Sequence, residues 1–172
     1  VTTDACLLGA LVESRNAKQV LDIGTGTGLL ALMIAQRSSA EITGIEIDAQ
    51  SVLIAKNNFE KSKWKSRLHI IEADVKSWYK SNHLKFDLIV CNPPFFTSSM
   101  KNIDQRKSIA RHNDVLSPEN LCHIIQQLLT SNGTAYIMLP PEEMMRFEIL
   151  CRAMNLFSGY KYFIASMPCK KP

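Results

Sequence analysis

The sequence predicts an α/β fold in which a mostly parallel, twisted sheet carries helices on both faces. Short apolar, often β-branched runs alternate with helical patterns, and strands joined by helices pair in parallel. Phe86 to Cys91 is apolar almost throughout, as expected of a strand that helices cover on both faces. A chain of 172 residues with 46% hydrophobic content can bury one such core. We therefore expect a single domain over residues 1–172.

The first half of the chain predicts two strands, each followed by a helix. Val20 to Ile23 is a short apolar run that predicts the first strand. Leu29 to Ala35 is apolar on all sides and long enough for a buried helix. Ile42 to Ile47 predicts the second strand, and Asp48 is the expected N-cap of a helix from Ala49 to about Lys61.

The second half continues this alternation. Apolar residues recur at helical spacing from Leu121 to Leu129, and Ser117 and Pro118 are suited to the cap and first turn of that helix. The remaining expected elements are a third strand at Leu68 to Ile71, the fourth at Phe86 to Cys91, a fifth at Thr134 to Leu139, a helix marked by Phe147, Leu150, Cys151 and Met154, and a sixth strand at Tyr160 to Ala165.

Composition excludes some classes of protein and leaves others open. The net charge of +4 is compatible with a polyanionic partner but does not prove one. No apolar run approaches the roughly 20 residues of a membrane span, so we expect no membrane partner. The cysteines show no C-x-x-C pair and predict reduced, buried thiols without disulfide or metal, in a cytoplasmic protein; they are Cys6, Cys91, Cys122, Cys151 and Cys169.

The first strand leads into a turn with three glycines, Gly24, Gly26 and Gly28. Glycines let a ligand approach the main chain closely because no Cβ intervenes. The dinucleotide fingerprint G-x-G-x-x-G would need a third glycine where Leu29 stands, so the pattern is G-x-G-x-G. Asp22 places a carboxylate beside the ligand, which suits an ammonium or sulfonium better than a pyrophosphate. A turn without a ligand is the alternative.

Carboxylates also end the second and third predicted strands. Glu46 and Asp48 follow the glycines by about 20 residues, where a carboxylate can accept from ribose hydroxyls, although Asp48 could serve only as a helix cap. Asp74 ends the third strand beside Ala73. Carboxyl ends of parallel strands share one edge of a sheet, so the three sites together favour a cofactor.

The fourth strand ends in Asn92-Pro93-Pro94-Phe95. The prolines keep the chain extended and leave the Asn92 side-chain oxygen and the Pro93 carbonyl as fixed acceptors. Two acceptors that hold the N–H groups of a planar amine favour the pyramidal nitrogen of the transition state. Phe95 would stack on the ring of a flipped base. The alternative is a turn followed by core aromatics.

These segments resemble the successive motifs of class I S-adenosylmethionine-dependent methyltransferases, which have a Rossmann-like fold. They are "VLDIGTGTG", "GIEID", "EAD" and "NPPF". The resemblance implies S-adenosylmethionine as cofactor and Asn92, Pro93 and Phe95 as catalytic residues. It implies that the cofactor's methionine part lies at Asp22, Gly24, Gly26 and Gly28, its ribose at Glu46, its adenine at Ala73 and Asp74, and its methyl group beside Asn92.

Further segments are similar to bacterial tRNA (adenine-N6) methyltransferases that modify the adenine 3′ of the anticodon in valine tRNA. They include "VTTDACLLGALV", "NNFEKSKW" and "ARHNDVLSPENL", and the first implies that Thr3 and Asp4 lie near the methionine part of the cofactor. The family has an N-terminal stretch and a last strand that this sequence lacks, so we expect truncation at both ends. We expect a monomer that acts on tRNA.

Other activities fit the same motifs. An N-P-P-aromatic turn also serves guanine N2 and the side-chain amide of protein glutamine in the wider family. An RNA-binding module without activity is a further alternative, and a nicotinamide dehydrogenase is disfavoured by the missing third glycine.

Two basic segments could contact RNA. Residues 97–117 form a long polar segment after the catalytic turn, and its candidate RNA-binding residues are Lys101, Arg106, Lys107, Arg111 and His112. Residues 61–67 combine four cations with Trp64. A solvated surface is the alternative for both. The histidines have no metal-ligand spacing.

Overall fold

A computed structural model describes residues 3–93 and 116–164 and shows one parallel sheet of five strands in the order β3-β2-β1-β4-β5. The strands are β1 Gln19–Ile23, β2 Glu41–Glu46, β3 Leu68–Glu72, β4 Phe86–Cys91 and β5 Leu129–Ile137. The helices are α1 Thr3–Leu11, α2 Leu29–Ala35, α3 Ala49–Lys61, α4 Val75–Ser81, α5 Pro118–Leu128 and α6 Pro141–Ala153, with a 3₁₀ turn at Lys65–Arg67.

The sheet is covered on both faces, as predicted. Alternate residues of each central strand point to opposite sides, so Val20 joins one apolar cluster and Leu21 the other. The first cluster includes side chains of α1, α2 and α3, whereas the second includes side chains of α4, α5 and α6. The strands β1 and β4 are buried between these layers at all but one residue each, which explains why their sequences are mostly apolar.

The predicted helix caps are confirmed. The Asp48 side chain accepts from the Ser51 N–H at the start of α3. The Ser117 hydroxyl accepts from the Asn120 N–H at the start of α5, and Pro118 occupies its first turn. Both caps satisfy an N–H group that has no partner within its own helix.

The predicted sixth strand is wrong over residues 160–164. These residues have no regular structure, and Tyr160 is 87% exposed and Phe163 69% exposed. Aromatic composition favours a strand only where the residues can pair and pack, and here they do neither. The fifth strand begins at Leu129, five residues before the predicted start, because Leu129 pairs with Phe86 ahead of a register shift.

Among the described residues, the cysteines match the prediction of buried thiols only in part. Cys91 and Cys122 are buried as predicted, but Cys6 is exposed on α1 and Cys151 is half-buried, while Cys169 lies outside the described residues. The short helix α4 was not predicted, since its sequence VKSWYKS has too few apolar residues to show a periodicity. Within the described ranges, no helix is both long and apolar enough to span a membrane.

Candidate active site

The predicted site residues of four strands meet at the carboxyl edge of the sheet. Strand order reverses at β1, which pairs with β2 on one side and β4 on the other. Ile23 lies opposite both Ile45 and Cys91, and Glu46 lies opposite Glu72. The residues that follow these positions are therefore level with one another. A ligand at this edge would reach all four strands, as is general for such sheets.

The glycine turn has a backbone that other residues rarely adopt. Gly24, Gly26 and Gly28 have φ values of 68°, 56° and 82°. A Cβ added at Gly28 would lie 2.4 Å from a ring carbon of Phe59, whereas a Cβ at Gly24 or Gly26 would meet no atom within 4 Å. Gly28 is thus required by packing, and the first two glycines leave open space for a ligand to approach the main chain.

Hydrogen bonds hold the glycine turn against β2 and α3. The N–H groups of Gly24 and Thr25 both donate to the Ile45 carbonyl, at 2.9 and 3.0 Å. The Asn58 side chain donates to the Thr27 carbonyl at 2.9 Å. Sequence reasoning missed Asn58, although it precedes Phe59 on the helix face that packs against the turn.

Asp22 is fully buried at the end of β1. Thr25 Oγ1 donates to Oδ2 at 2.6 Å, while Oδ1 is buried and has no hydrogen-bond partner among the described residues. Burial raises the pKa of Asp22 from 3.8 to about 6, with a smaller contribution from the nearby Glu46 charge. An unpaired acceptor of this kind is suited to a cationic ligand that approaches the turn.

Glu46 both faces the ligand edge and braces the glycine turn. Its Oε2 accepts from Gly26 N–H at 2.9 Å, and its Oε1 accepts from Ile47 and Asp48 N–H at 2.9 and 3.0 Å. A carboxylate has about four acceptor positions, so roughly one remains for a ribose hydroxyl. The bracing role was not foreseen from the sequence.

A main-chain hydrogen bond holds the end of β3 beside Glu46. Ala73 N–H donates to the Glu46 carbonyl at 2.9 Å. Asp74 caps α4: its Oδ1 accepts from Lys76 N–H at 2.9 Å, and its Oδ2 lies 3.5 Å from Lys76 Nζ. Ala73 and Asp74 are therefore brought to the same edge as Glu46, where they could border an adenine.

Asn92 and Pro93 follow β4 next to the glycine turn. The Asn92 Oδ1 is buried and has no hydrogen-bond partner among the residues that the structure describes, and Pro93 is buried. Pro93 also borders a small cavity lined by Glu143, whose Oε2 is buried and likewise has no partner within the described ranges. Glu143 lies in the first turn of α6, where the helix dipole favours an anion. No feature of the sequence distinguishes it from Glu142.

Other predicted residues are not brought to this edge by any described contact. Phe95 and the candidate RNA-binding residues lie outside the described residues; the latter are Lys101, Arg106, Lys107, Arg111 and His112. Thr3 and Asp4 form the first turn of α1, and within the described ranges no hydrogen bond links them to the glycine turn. Their predicted roles stay predictions.

The described residues fit S-adenosylmethionine. The open space at Gly24 and Gly26 admits its methionine part, and the unpaired Asp22 oxygen can accept from its ammonium group. Glu46 retains acceptor capacity for a ribose. Within the described ranges, no group of three or more His, Cys, Asp or Glu side chains is placed to hold a metal ion.

Comparison with known proteins agrees with this geometry. Residues 3–134 match the family model of the methyltransferase small domain. A tRNA1(Val) (adenine(37)-N6)-methyltransferase of Bacteroides fragilis (strain YCH46) is 39% identical over all of this chain and 73% of its own length. The protein of the same name from Shewanella halifaxensis is 41% identical over all of this chain and 70% of its length.

Solved structures show the same fold. A precorrin-6y C5,15-methyltransferase from Geobacter metallireducens superposes with a TM-score of 0.62 at 12% identity, covering 88% of this chain and 70% of that one. A glycopeptide N-methyltransferase in complex with S-adenosylmethionine gives a TM-score of 0.52 at 14% identity, over 77% and 47% of the two chains. The Rossmann-like α/β fold predicted from the sequence is confirmed, and the chain belongs to the methyltransferase small domain family.

Proposed function

We propose that this protein transfers a methyl group from S-adenosylmethionine to the exocyclic N6 amine of an adenine in tRNA, the adenine beside the anticodon of valine tRNA. The observation that carries the proposal is the buried Oδ1 of Asn92, which has no partner within residues 3–93 and 116–164 and lies at the strand end next to the glycine turn. The base and the RNA are supported by the names of relatives that match the whole chain.

Asn92 and Pro93 would prepare the amine for attack. The cofactor, when bound, supplies an electrophilic methyl group on a sulfonium. The amine of adenine is a weak nucleophile because its lone pair is delocalised into the ring. Acceptors at the Asn92 side chain and the Pro93 carbonyl would hold both N–H groups and favour the localised lone pair, a contribution of about 10² to 10³ in rate.

The reaction needs no base before attack. The nitrogen lone pair would form the new N–C bond as the methyl group leaves the sulfonium, with the C–S bonding electrons going to sulfur to give S-adenosylhomocysteine. The proton would pass to water only after the nitrogen carries the methyl group. The neighbouring Cys91 is not a nucleophile, because burial raises the pKa of its thiol far above the ordinary value. We therefore infer direct transfer to the amine, with Phe95 stacked on the base.

The cofactor would be held by the predicted residues around the turn. Asp22 would accept from the ammonium group, and Gly24 and Gly26 would allow the methionine part to contact the main chain. Glu46 would accept from the ribose and Asp74 from the adenine amine. We also infer that the enzyme acts as a monomer in the cytoplasm, which gel filtration and cell fractionation would test.

The deciding experiment is methylation of unmodified tRNA with labelled S-adenosylmethionine, followed by mass spectrometry of the nucleosides. We expect N6-methyladenosine from valine tRNA and no product when the target adenine is replaced by guanine. N2-methylguanosine, or label in a protein fraction, would assign the site to another substrate. If the protein binds RNA but transfers no methyl group, it acts as an RNA-binding module and not as an enzyme.

A further inference from the structure

Seven cations lie at the amino edge of the sheet, opposite the candidate active site. The segments that precede β1, β2 and β3 meet there because these strands are adjacent and parallel. We call this group the amino-edge surface; its members are Arg15, Lys18, Arg37, Lys61, Lys63, Lys65 and Arg67. No step of the proposed reaction uses them.

Two of these arginines join the segments into one surface. Arg67 donates to the Ala40 carbonyl at 3.0 Å and to the Ala35 carbonyl at the end of α2. Arg37, two residues after α2, donates to the Ala10 carbonyl at 3.1 Å and to the Gly9 carbonyl of α1. The end of α2 thus connects the segment before β3 with the end of α1, and the cations at both ends of the surface are held in place.

A cavity of about 290 Å³ opens at the α1 end of this surface, lined by Val12, Glu13, Ser14, Arg15 and Arg37. Ser14 is 2% exposed, and its buried hydroxyl has no hydrogen-bond partner in the part of the chain that the structure describes. Guanidinium groups and a hydroxyl are the usual ligands of a phosphate. The cavity exceeds the roughly 10–15 Å³ that one water needs, and its two arginines outweigh Glu13 in charge.

The other end of the surface is more strongly positive. Residues 61–67 contain four cations and no anion, and Lys61, Lys63 and Lys65 are exposed. Lys63 Nζ lies 5.3 Å from the ring centroid of Trp64, which packs against the core. This contact limits the freedom of the lysine. Nearby Glu41 Oε2 lies 2.9 Å from His69 Nε2, so Glu41 is less available to pair with these cations in place of a phosphate.

We propose that the amino-edge surface binds backbone phosphates of the RNA substrate outside the loop that carries the target base. The inference rests on the proposed RNA substrate. Strands of five or six residues separate the two edges by about 16–20 Å. A nucleic-acid duplex carries roughly ten phosphates over that distance, so an RNA with its loop at one edge can extend along the protein to the other.

Two double variants that each remove two positive charges, one on this surface and one elsewhere, test the proposal. Arg15→Gln with Lys65→Gln removes two exposed cations of the surface. Lys56→Gln with Arg146→Gln removes two exposed cations from α3 and α6 and serves as the control. The salt dependence of binding is measured by fluorescence anisotropy for a full tRNA and for its isolated anticodon stem and loop. The affinity for S-adenosylhomocysteine, whose proposed site lies at the opposite edge of the sheet, shows whether both variants are folded.

We expect the amino-edge variant to bind full tRNA about tenfold more weakly at low salt, with a slope of log K against log[salt] reduced by up to about 1.4–1.8. The control variant should bind full tRNA almost as the unsubstituted protein does, and binding of the isolated stem and loop should change little in either variant. Equal slopes in both variants would overturn the proposal. The proposal would also fail if inorganic phosphate stabilised the unsubstituted protein but not the amino-edge variant while RNA binding stayed the same, because the cavity would then be a small-anion site.

The binding readout is independent of methyl transfer. If the slope falls in a protein that methylates no RNA, the surface stands and the proposed reaction fails. If N6-methyladenosine forms normally and the slope is unchanged, the reaction stands and the surface fails.

Discussion

Substitution Asp22→Asn should stabilise the protein without its cofactor at neutral pH while weakening the cofactor complex. Burial holds the pKa of Asp22 at about 6, against an ordinary value of 3.8. The native carboxyl therefore keeps its proton to a higher pH than the unfolded one. As pH rises from about 4 through 6, the native state loses stability relative to the unfolded state, because it must ionise a buried group.

The size of this effect follows from the two pKa values. Their difference, at about 1.36 kcal/mol for each pKa unit, corresponds to a cost of about 3 kcal/mol at pH 7.5 and about 0.5 kcal/mol at pH 4. Asparagine avoids the cost and can still accept the hydrogen bond from Thr25, which donates to Asp22 at 2.6 Å. The gain in free energy of unfolding should thus grow by roughly 2 kcal/mol between the two pH values.

Urea unfolding of both proteins at pH 4 and pH 7.5 measures the difference, with exposed Glu60→Gln on α3 as a matched neutral control. Calorimetry with S-adenosylhomocysteine should show weaker binding to the Asp22→Asn variant at pH 7.5, since the unpaired carboxylate oxygen would be lost. A stability gain that is the same at both pH values would refute the reasoning, as would loss of stability at pH 7.5.

Three further predictions concern the strand ends. Asn92→Ala should lower kcat by about 10² or more and leave S-adenosylhomocysteine affinity nearly unchanged, as measured by turnover and calorimetry; wild-type kcat would contradict the role of the amide. Gly28→Ala should lower the free energy of unfolding by about 2 kcal/mol or more, because the added Cβ would clash with Phe59 in a backbone of positive φ. Gly24→Ala should lower it by only about 1–2 kcal/mol, because no atom is in the way, but should lose most cofactor affinity. Equal urea unfolding curves for the two variants would argue against this contrast. Asn58→Ala should weaken cofactor binding about fivefold, while the exposed Asn57→Ala should not.

Much of the fold followed from local patterns that burial enforces. The strands β1 and β4 are covered on both faces, so their apolar runs have one good interpretation, and the predicted and observed boundaries nearly coincide. Asp48 could be recognised as a cap because capping is a local interaction. Tyr160 to Ile164 shows the limit, since an aromatic run forms a strand only if a neighbour is available to pair with it.

The candidate site was predictable in its positions but not in its hydrogen bonds. Glycines and carboxylates at successive strand ends indicate a shared edge, because parallel strands end together. That Glu46 braces Gly26, or that Asn58 holds the turn from α3, depends on contacts between residues about 20 and 31 positions apart. No periodicity encodes such pairs. A polar residue beside a buried helix stripe was the only signal for Asn58.

The two unpaired oxygens at this edge indicate what the fold gives up for its function. Asp22 Oδ1 and Asn92 Oδ1 are both buried and have no partner among the described residues, a condition that usually costs about 1–3 kcal/mol for each group. A protein selected for stability alone would satisfy or replace them. Both lie at the ends of the strands that meet where the sheet order reverses. A cofactor that donates to Asp22 and an amine that donates to Asn92 would recover this cost on binding, so the same atoms that weaken the free protein favour the complex.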